Sequence, residues 1–204
     1  MAVWGWYNQH MTTLDLVLRV ATFTLLFLRV IYWLKTADQA NMEKPKHTEY
    51  KSSQKMKDYI LYLLWALLGI QLLGLSLFPF PYTLAVQFVG FVMAFGGVVV
   101  SVMGRRELGV NWAHGGEYQV KNDQELVTTG IYHYIRHPIY LGVMLAYGGG
   151  QIVAGSYLSI VFLILFTYSS IVQAQKEEKL LLQHFGQEYE HYMRKTKMLI
   201  PFVY

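Results

Sequence analysis

Two long stretches of this chain, Tyr59 to Gly104 and His137 to Gln175, contain no lysine, arginine, aspartate or glutamate. A helical bilayer crossing takes about 20 apolar residues, so each stretch is long enough for a hairpin of two crossings. Few other folds suit such a pattern. A soluble domain of 204 residues that is 54% hydrophobic and 15% charged would need more polar surface to cover its core. The expected class is therefore all-α: one polytopic membrane domain with about five transmembrane helices.

The crossings are expected at Leu14 to Leu34, Tyr59 to Phe78, Thr83 to Met103, Ile139 to Ile152 and Tyr157 to Gln175. Pro79 and Pro81 interrupt the helical pattern between the second and third, and Gly148 to Gly150 with Gly155 and Ser156 between the fourth and fifth. All the lysines, and all the arginines except Arg19 and Arg29, fall in segments 35–58, 104–136 and 176–197. An excess of basic residues marks cytoplasmic loops. It puts these three segments on the cytoplasmic side and the amino end on the opposite one. The first apolar run lacks a basic flank and a small-residue cleavage site, and is read as a helix rather than a signal peptide. Asp15 and Arg19, four residues apart, are placed to pair on that helix, and Arg29 to snorkel toward the inner surface.

The chain is expected to divide into residues 1–103, three transmembrane helices with a basic cytoplasmic loop, and residues 104–204, which carry the chemistry. With no cysteine, disulfides and thiolate chemistry are excluded. His114, His133 and His137 do not have a metal-binding spacing, and no metal is expected. There is no phosphate-binding glycine loop, and nucleic-acid binding is not expected. The net charge of +4 is accounted for by basic flanks against membrane lipid headgroups.

Candidate functional residues gather at the ends of the second charge-free stretch. Residues 104–130, rich in Gly and Asn, read as a polar cap-like loop. "GIYHYIRHPIYLG", Gly130 to Gly142, then places Pro138 at the first position of a helix, where its missing amide does no harm. His137, before the proline, is driven toward an extended backbone. The excursion from His137 to Gln175 brings Lys176, Glu177 and Glu178 back to the same membrane face as Arg136. "QKEEKLLLQHFGQEYEHYMRK" reads as an amphipathic carboxyl-terminal helix with Leu181, Phe185, Tyr189 and Tyr192 in one stripe.

"GIYHYIRHPIYLG" followed at this spacing by "EEKLLLQHFGQEYEHYMRKTKMLIPF" resembles the isoprenylcysteine carboxyl methyltransferases, integral membrane enzymes that use S-adenosylmethionine. "NWAH" and "ELVTTG" resemble that family's cofactor-side segment, and the likeness covers about Arg105 to Phe202. It implies a methyltransferase with a lipophilic methyl acceptor drawn from the bilayer. By the same resemblance the cofactor-binding positions are Glu117, Gln124, Glu125, Leu126, Val127, Tyr132, His137, Pro138, Ile139, Tyr140 and Glu177. The catalytic candidates are Arg136, His137 and Glu177. The position four residues before that glutamate, associated with the substrate, is an arginine in the family's eukaryotic members and is Gln173 here. Arg136, Arg105 or Arg106 is then the candidate to take over its role. "RHPxY" is shared with phospholipid methyltransferases and membrane steroid reductases. The rival readings are thus a phospholipid N-methyltransferase, an NADPH-dependent reductase and a non-catalytic scaffold.

Overall fold

The computed structural model describes residues 12–41, 52–75, 77–112 and 124–200. Within them the regular structure is entirely helical: α1 Thr13–Asn41, α2 Ser52–Leu72, α3 Leu84–Leu108, α4 Pro138–Val153, α5 Leu158–Phe185 and α6 Gln187–Lys195. Short 3-10 turns occupy Gly109–Asn111 and Gly130–His133. Helices α1 to α5 run alternately up and down. One end of the bundle, the basic end, joins Thr36, Arg105 and Pro138; the far end joins Asp15, Gln71, Tyr82 and Ala154. The helical segments Leu84–Asn111 and Leu158–Phe185 each contain an apolar run long enough to cross a membrane.

Several helices differ in extent from the sequence reading. Helix α2 stops at Leu72, earlier than Phe78, where Gly74 takes φ 103° and the chain turns before the two prolines. Gly148 to Gly150 do not break the chain: they are buried inside α4, and the turn comes at Gly155, φ 66°. Helix α5 runs past Gln175 to Phe185, so Glu177 and Glu178 ride on the same rigid element as the apolar run. The expected single amphipathic helix is divided at Gly186, φ 55°, where α5 ends and α6 begins.

The buried glycines of α4 matter because α3 presents small residues at Gly90, Ala94, Gly97, Ser101 and Gly104, spaced four and three apart along one face. Without side chains between them the two backbones come into direct contact, the arrangement small residues permit between apolar helices. A Cβ added at Gly97 would lie 2.3 Å from the Ala146 nitrogen and 2.5 Å from the Gly142 oxygen. Neither backbone atom can step aside. Gly97→Ala is therefore expected to lower stability by about 1–3 kcal/mol, the usual cost of overpacking. Gly96→Ala, with nothing within 4 Å, should be silent. Thermal unfolding of the two variants in detergent checks the contrast.

At the far end, Arg19 and Asp15 pair as expected, Nε to Oδ1 at 3.1 Å, and both are fully buried. Arg19 also donates to the Gln71 carbonyl at 3.0 Å, the Ala154 carbonyl at 3.2 Å and the Tyr82 hydroxyl at 2.8 Å. Asp15 accepts from Tyr82 and Gln87 as well. Arg29 does not snorkel. It turns inward, 7% exposed, with Nε donating to Ser101 Oγ at 3.1 Å and its guanidinium over the Trp33 ring at 4.5 Å.

Candidate active site

Pro138 opens α4, and His137 before it lies outside the helical region at φ −127°, ψ 58°. That backbone lets residues 134–137 pair with the chain's last described segment. Arg136 N donates to Lys197 O at 2.8 Å and His137 N to Met198 O at 3.0 Å, beside an isolated bridge of Ile135 with Lys197. The Arg136 guanidinium reinforces the junction. Its Nη1 donates to the carbonyls of Thr196 at 2.5 Å and Met193 at 3.2 Å, and its Nε to Glu178 Oε1 at 2.6 Å.

The two glutamates have different surroundings although they are adjacent in sequence. Glu178 is buried, with His137 Nε2 at 3.3 Å in addition to Arg136. Desolvation alone would raise its pKa, but the hydrogen bonds and charges of His137 and Arg136 outweigh it and hold the carboxyl below the usual range. Glu177, beyond the apolar part of α5, keeps a side chain 30% exposed. It accepts from the Tyr140 hydroxyl at 2.5 Å and from the Gln173 amide one turn back, with His137 Nδ1 at 3.6 Å. Here desolvation prevails, and the carboxyl is pushed above its ordinary value despite His137, Tyr140 and Gln173. The His137 and Tyr140 rings stack, 5.6 Å between centroids.

The structure thus brings together Arg136, His137, Tyr140, Gln173 and Glu177. Tyr132 is buried, its carbonyl accepting from the Tyr192 hydroxyl at 2.7 Å. Burial, more than the nearby Tyr192 and Glu177, drives the Tyr132 phenol well above its ordinary pKa, so it remains protonated. Pro138 and Ile139 face α3, against Gly104. Residues 124–127 run along the basic end of α3, held there by Glu125 N donating to Asn111 Oδ1 at 3.0 Å. Glu117, His114 and the rest of 113–123, the centre of the expected cap-like loop, lie outside the described residues. So does 42–51, the centre of the first basic loop. Of the three arginines able to replace the one absent at Gln173, Arg136 is engaged as above. Arg105 is buried, donating to the Gly109 and Thr36 carbonyls at 3.0 and 2.7 Å and stacked on Trp112 at 4.2 Å. Arg106 is exposed.

Sequence reasoning left Glu178 and Thr196 out of the candidate site. The doubled glutamate was the available signal for the first. Adjacent helical residues point about 100° apart, so a pair can serve two partners, and only the packing tells which carboxylate is buried. A carboxyl with a lowered pKa stabilises the folded state fully above its unfolded value, and that contribution is lost as pH falls through the folded value. Glu178→Gln is therefore expected to flatten the fall in stability below about pH 4.5. Melting temperatures of the variant and parent from pH 7 to pH 3 provide the check.

Comparison with known proteins gives four likenesses. The family model "Phospholipid methyltransferase" matches residues 85–188. A protein of Oryza sativa subsp. japonica named "Probable protein-S-isoprenylcysteine O-methyltransferase" is 32% identical over 150 residues, 72% of this chain and 78% of its own length. The "Methanethiol S-methyltransferase" of Crocosphaera subtropica is 40% identical over a shorter 76 residues, 37% of this chain and 29% of its own. Among solved structures, that of the "eukaryotic intramembrane Ras methyltransferase ICMT" superposes with a TM-score of 0.66 at 20% identity. The match covers 98% of this chain and 72% of that one.

Proposed function

This chain belongs to the protein-S-isoprenylcysteine O-methyltransferase family of membrane methyltransferases, and we propose that it transfers a methyl group from S-adenosylmethionine to a lipophilic acceptor at its basic end. The observation that carries this reading is the partly open Glu177 carboxylate, braced by Tyr140, Gln173 and His137. S-adenosylmethionine supplies an electrophilic methyl group on a sulfonium. The residues at Glu177 fit such a group: an acceptor-only carboxylate that remains accessible and an aromatic ring beside it, the two features that favour a cation.

The protein's own contributions are positional. Tyr140 and Gln173 fix the Glu177 carboxylate, and His137 holds its ring between both glutamates. Arg136 ties this corner to residues 193–198, so the start of α4 is joined to α5, to α6 and to the segment after them. Tyr132, His137, Pro138, Ile139 and Tyr140 would form the wall nearest Glu177, with Gln124 to Val127 and Glu117 contributing from the loop side. Holding the reacting atoms in line and excluding water are what such a site can add to an already electrophilic donor.

In the proposed arrangement five helices cross the bilayer, the amino end lies opposite the cytoplasm, and the basic end faces the cytoplasm. Residues 104–204 form the catalytic half and 1–103 complete the membrane domain. The acceptor is an isoprenyl or lipid amphiphile whose apolar body remains among the lipids while its nucleophile reaches Glu177. Titration calorimetry of the detergent-purified chain tests the donor. Saturable binding of S-adenosylhomocysteine, with NADPH giving no heat, is expected. NADPH binding, or binding of neither ligand, overturns the proposal.

A further inference from the structure

Glu107 stands in the last turn of α3, apart from every residue the proposed activity uses, and its side chain is turned to the loop that leads into the site. The Thr129 hydroxyl donates to Glu107 Oε1 at 2.6 Å. Thr129 is also the residue that opens the 3-10 turn Gly130–His133, its carbonyl accepting from Tyr132 N at 3.0 Å. A threonine in that position ordinarily turns its hydroxyl to an amide of the turn it opens. Here it makes no such bond and reaches α3 instead.

Gly130 completes the contact. It takes φ 56°, in the left-handed region that glycine adopts without steric cost. Its backbone also lies against α3: an added Cβ would be 2.6 Å from Glu107 Cδ and 2.7 and 2.8 Å from the two carboxylate oxygens. Four residues beyond Glu107, Asn111 Oδ1 accepts from Glu125 N at 3.0 Å. Two acceptors from the basic end of α3 thus hold the stretch 125–129 at both of its ends. That stretch carries Glu125, Leu126 and Val127 and continues through Tyr132 to His137, the residues that the donor reading assigns to the wall of the site.

We propose that Glu107 is a positioning residue for the methyl-donor site, acting through Thr129 and Gly130 without touching the donor. The inference rests on the donor reading above. A loop that forms part of a binding wall gives its full affinity only in the fraction of molecules that hold it in place. Each bond that fixes it beforehand raises that fraction and cuts the cost of ordering on binding. The role requires an acceptor at position 107, and the negative charge is incidental to it.

Titration of the detergent-purified full chain with S-adenosylhomocysteine, followed by calorimetry, tests this. Glu107→Ala and Thr129→Val are each expected to weaken binding by about two- to tenfold, the span of one net hydrogen bond. The double variant should lose no more than either single one, because both remove the same bond. Glu107→Gln keeps the acceptor and Thr129→Ser the hydroxyl, so both should bind as the parent does. Glu107 is exposed, and melting temperatures should stay near the parent's throughout. Parent-like affinity in Glu107→Ala overturns the inference, as does a loss in Glu107→Gln equal to that in Glu107→Ala, which would make the charge the operative feature. A melting temperature that falls in step with affinity overturns it too, since the loss would then be one of general packing. Failure of the parent itself to bind removes the donor reading and this inference together, whereas a binding parent indifferent to Glu107→Ala removes this inference alone.

Discussion

Glu177→Gln is expected to weaken S-adenosylmethionine binding by about 10- to 100-fold, the range of about 1.5–3 kcal/mol associated with a contact to a charged group. The substitution preserves shape and can still accept from Tyr140 and Gln173, so the loss isolates the charge. S-adenosylhomocysteine, whose sulfur is neutral, should lose markedly less. Equal losses for both ligands in calorimetric titrations would place the carboxylate away from the sulfonium. A pH series adds a second reading. Desolvation raises the Glu177 carboxyl above its ordinary value, so donor affinity should begin to decline at a higher pH than for an ordinary glutamate, and that decline should vanish in the variant.

Arg19→Leu is expected to be the most destabilising of the substitutions considered. Arg19 is fully buried and its guanidinium serves four groups: the Asp15 carboxylate, the Tyr82 hydroxyl, and the carbonyls of Gln71 and Ala154. Those carbonyls lie at the last turn of α2 and just past the end of α4, where a cation is favoured. Removing the arginine leaves Asp15 buried without its counter-charge and takes a charged donor away from two helix ends. Breaking a buried pair on one side typically costs about 3–5 kcal/mol. Thermal unfolding in detergent should show a loss well beyond that of Gly97→Ala, and a melting temperature near that of the parent would show that other groups take over its role.

The chain's class was legible because it depends on composition along the sequence. A stretch without charged residues can be read directly, and so could the return of Glu177 to the face that holds Arg136. Pro138 announced the start of α4, and the four-residue spacing of Asp15 and Arg19 announced their pairing. The family resemblance supplied candidate roles for His137, Tyr140 and Glu177.

Other features depended on which way a side chain faces. Gly148 to Gly150 look like a helix break in sequence, since glycine is a poor helix former; in the bundle they stay helical, with Gly149 against α3, Gly148 against Leu163 of α5 and Met93 of α3, and Gly150 against Leu26 and Leu68 of α1 and α2. Arg29, near the end of an apolar run, is positioned to reach the surface, yet Ser101 and two indole rings hold it inside. Glu177 and Glu178 are chemically identical, and only the direction each takes from α5 leaves one open and buries the other against Arg136. Spacing along one chain determines which residues share a helix face, but whether a polar group meets a partner is decided between helices, where small changes in rotation exchange one neighbour for another. From the sequence came the apolar helices, the basic end and the family likeness. Tertiary packing alone determined which charges are paired, which carboxylate stays accessible, and that Arg29 turns inward to Ser101.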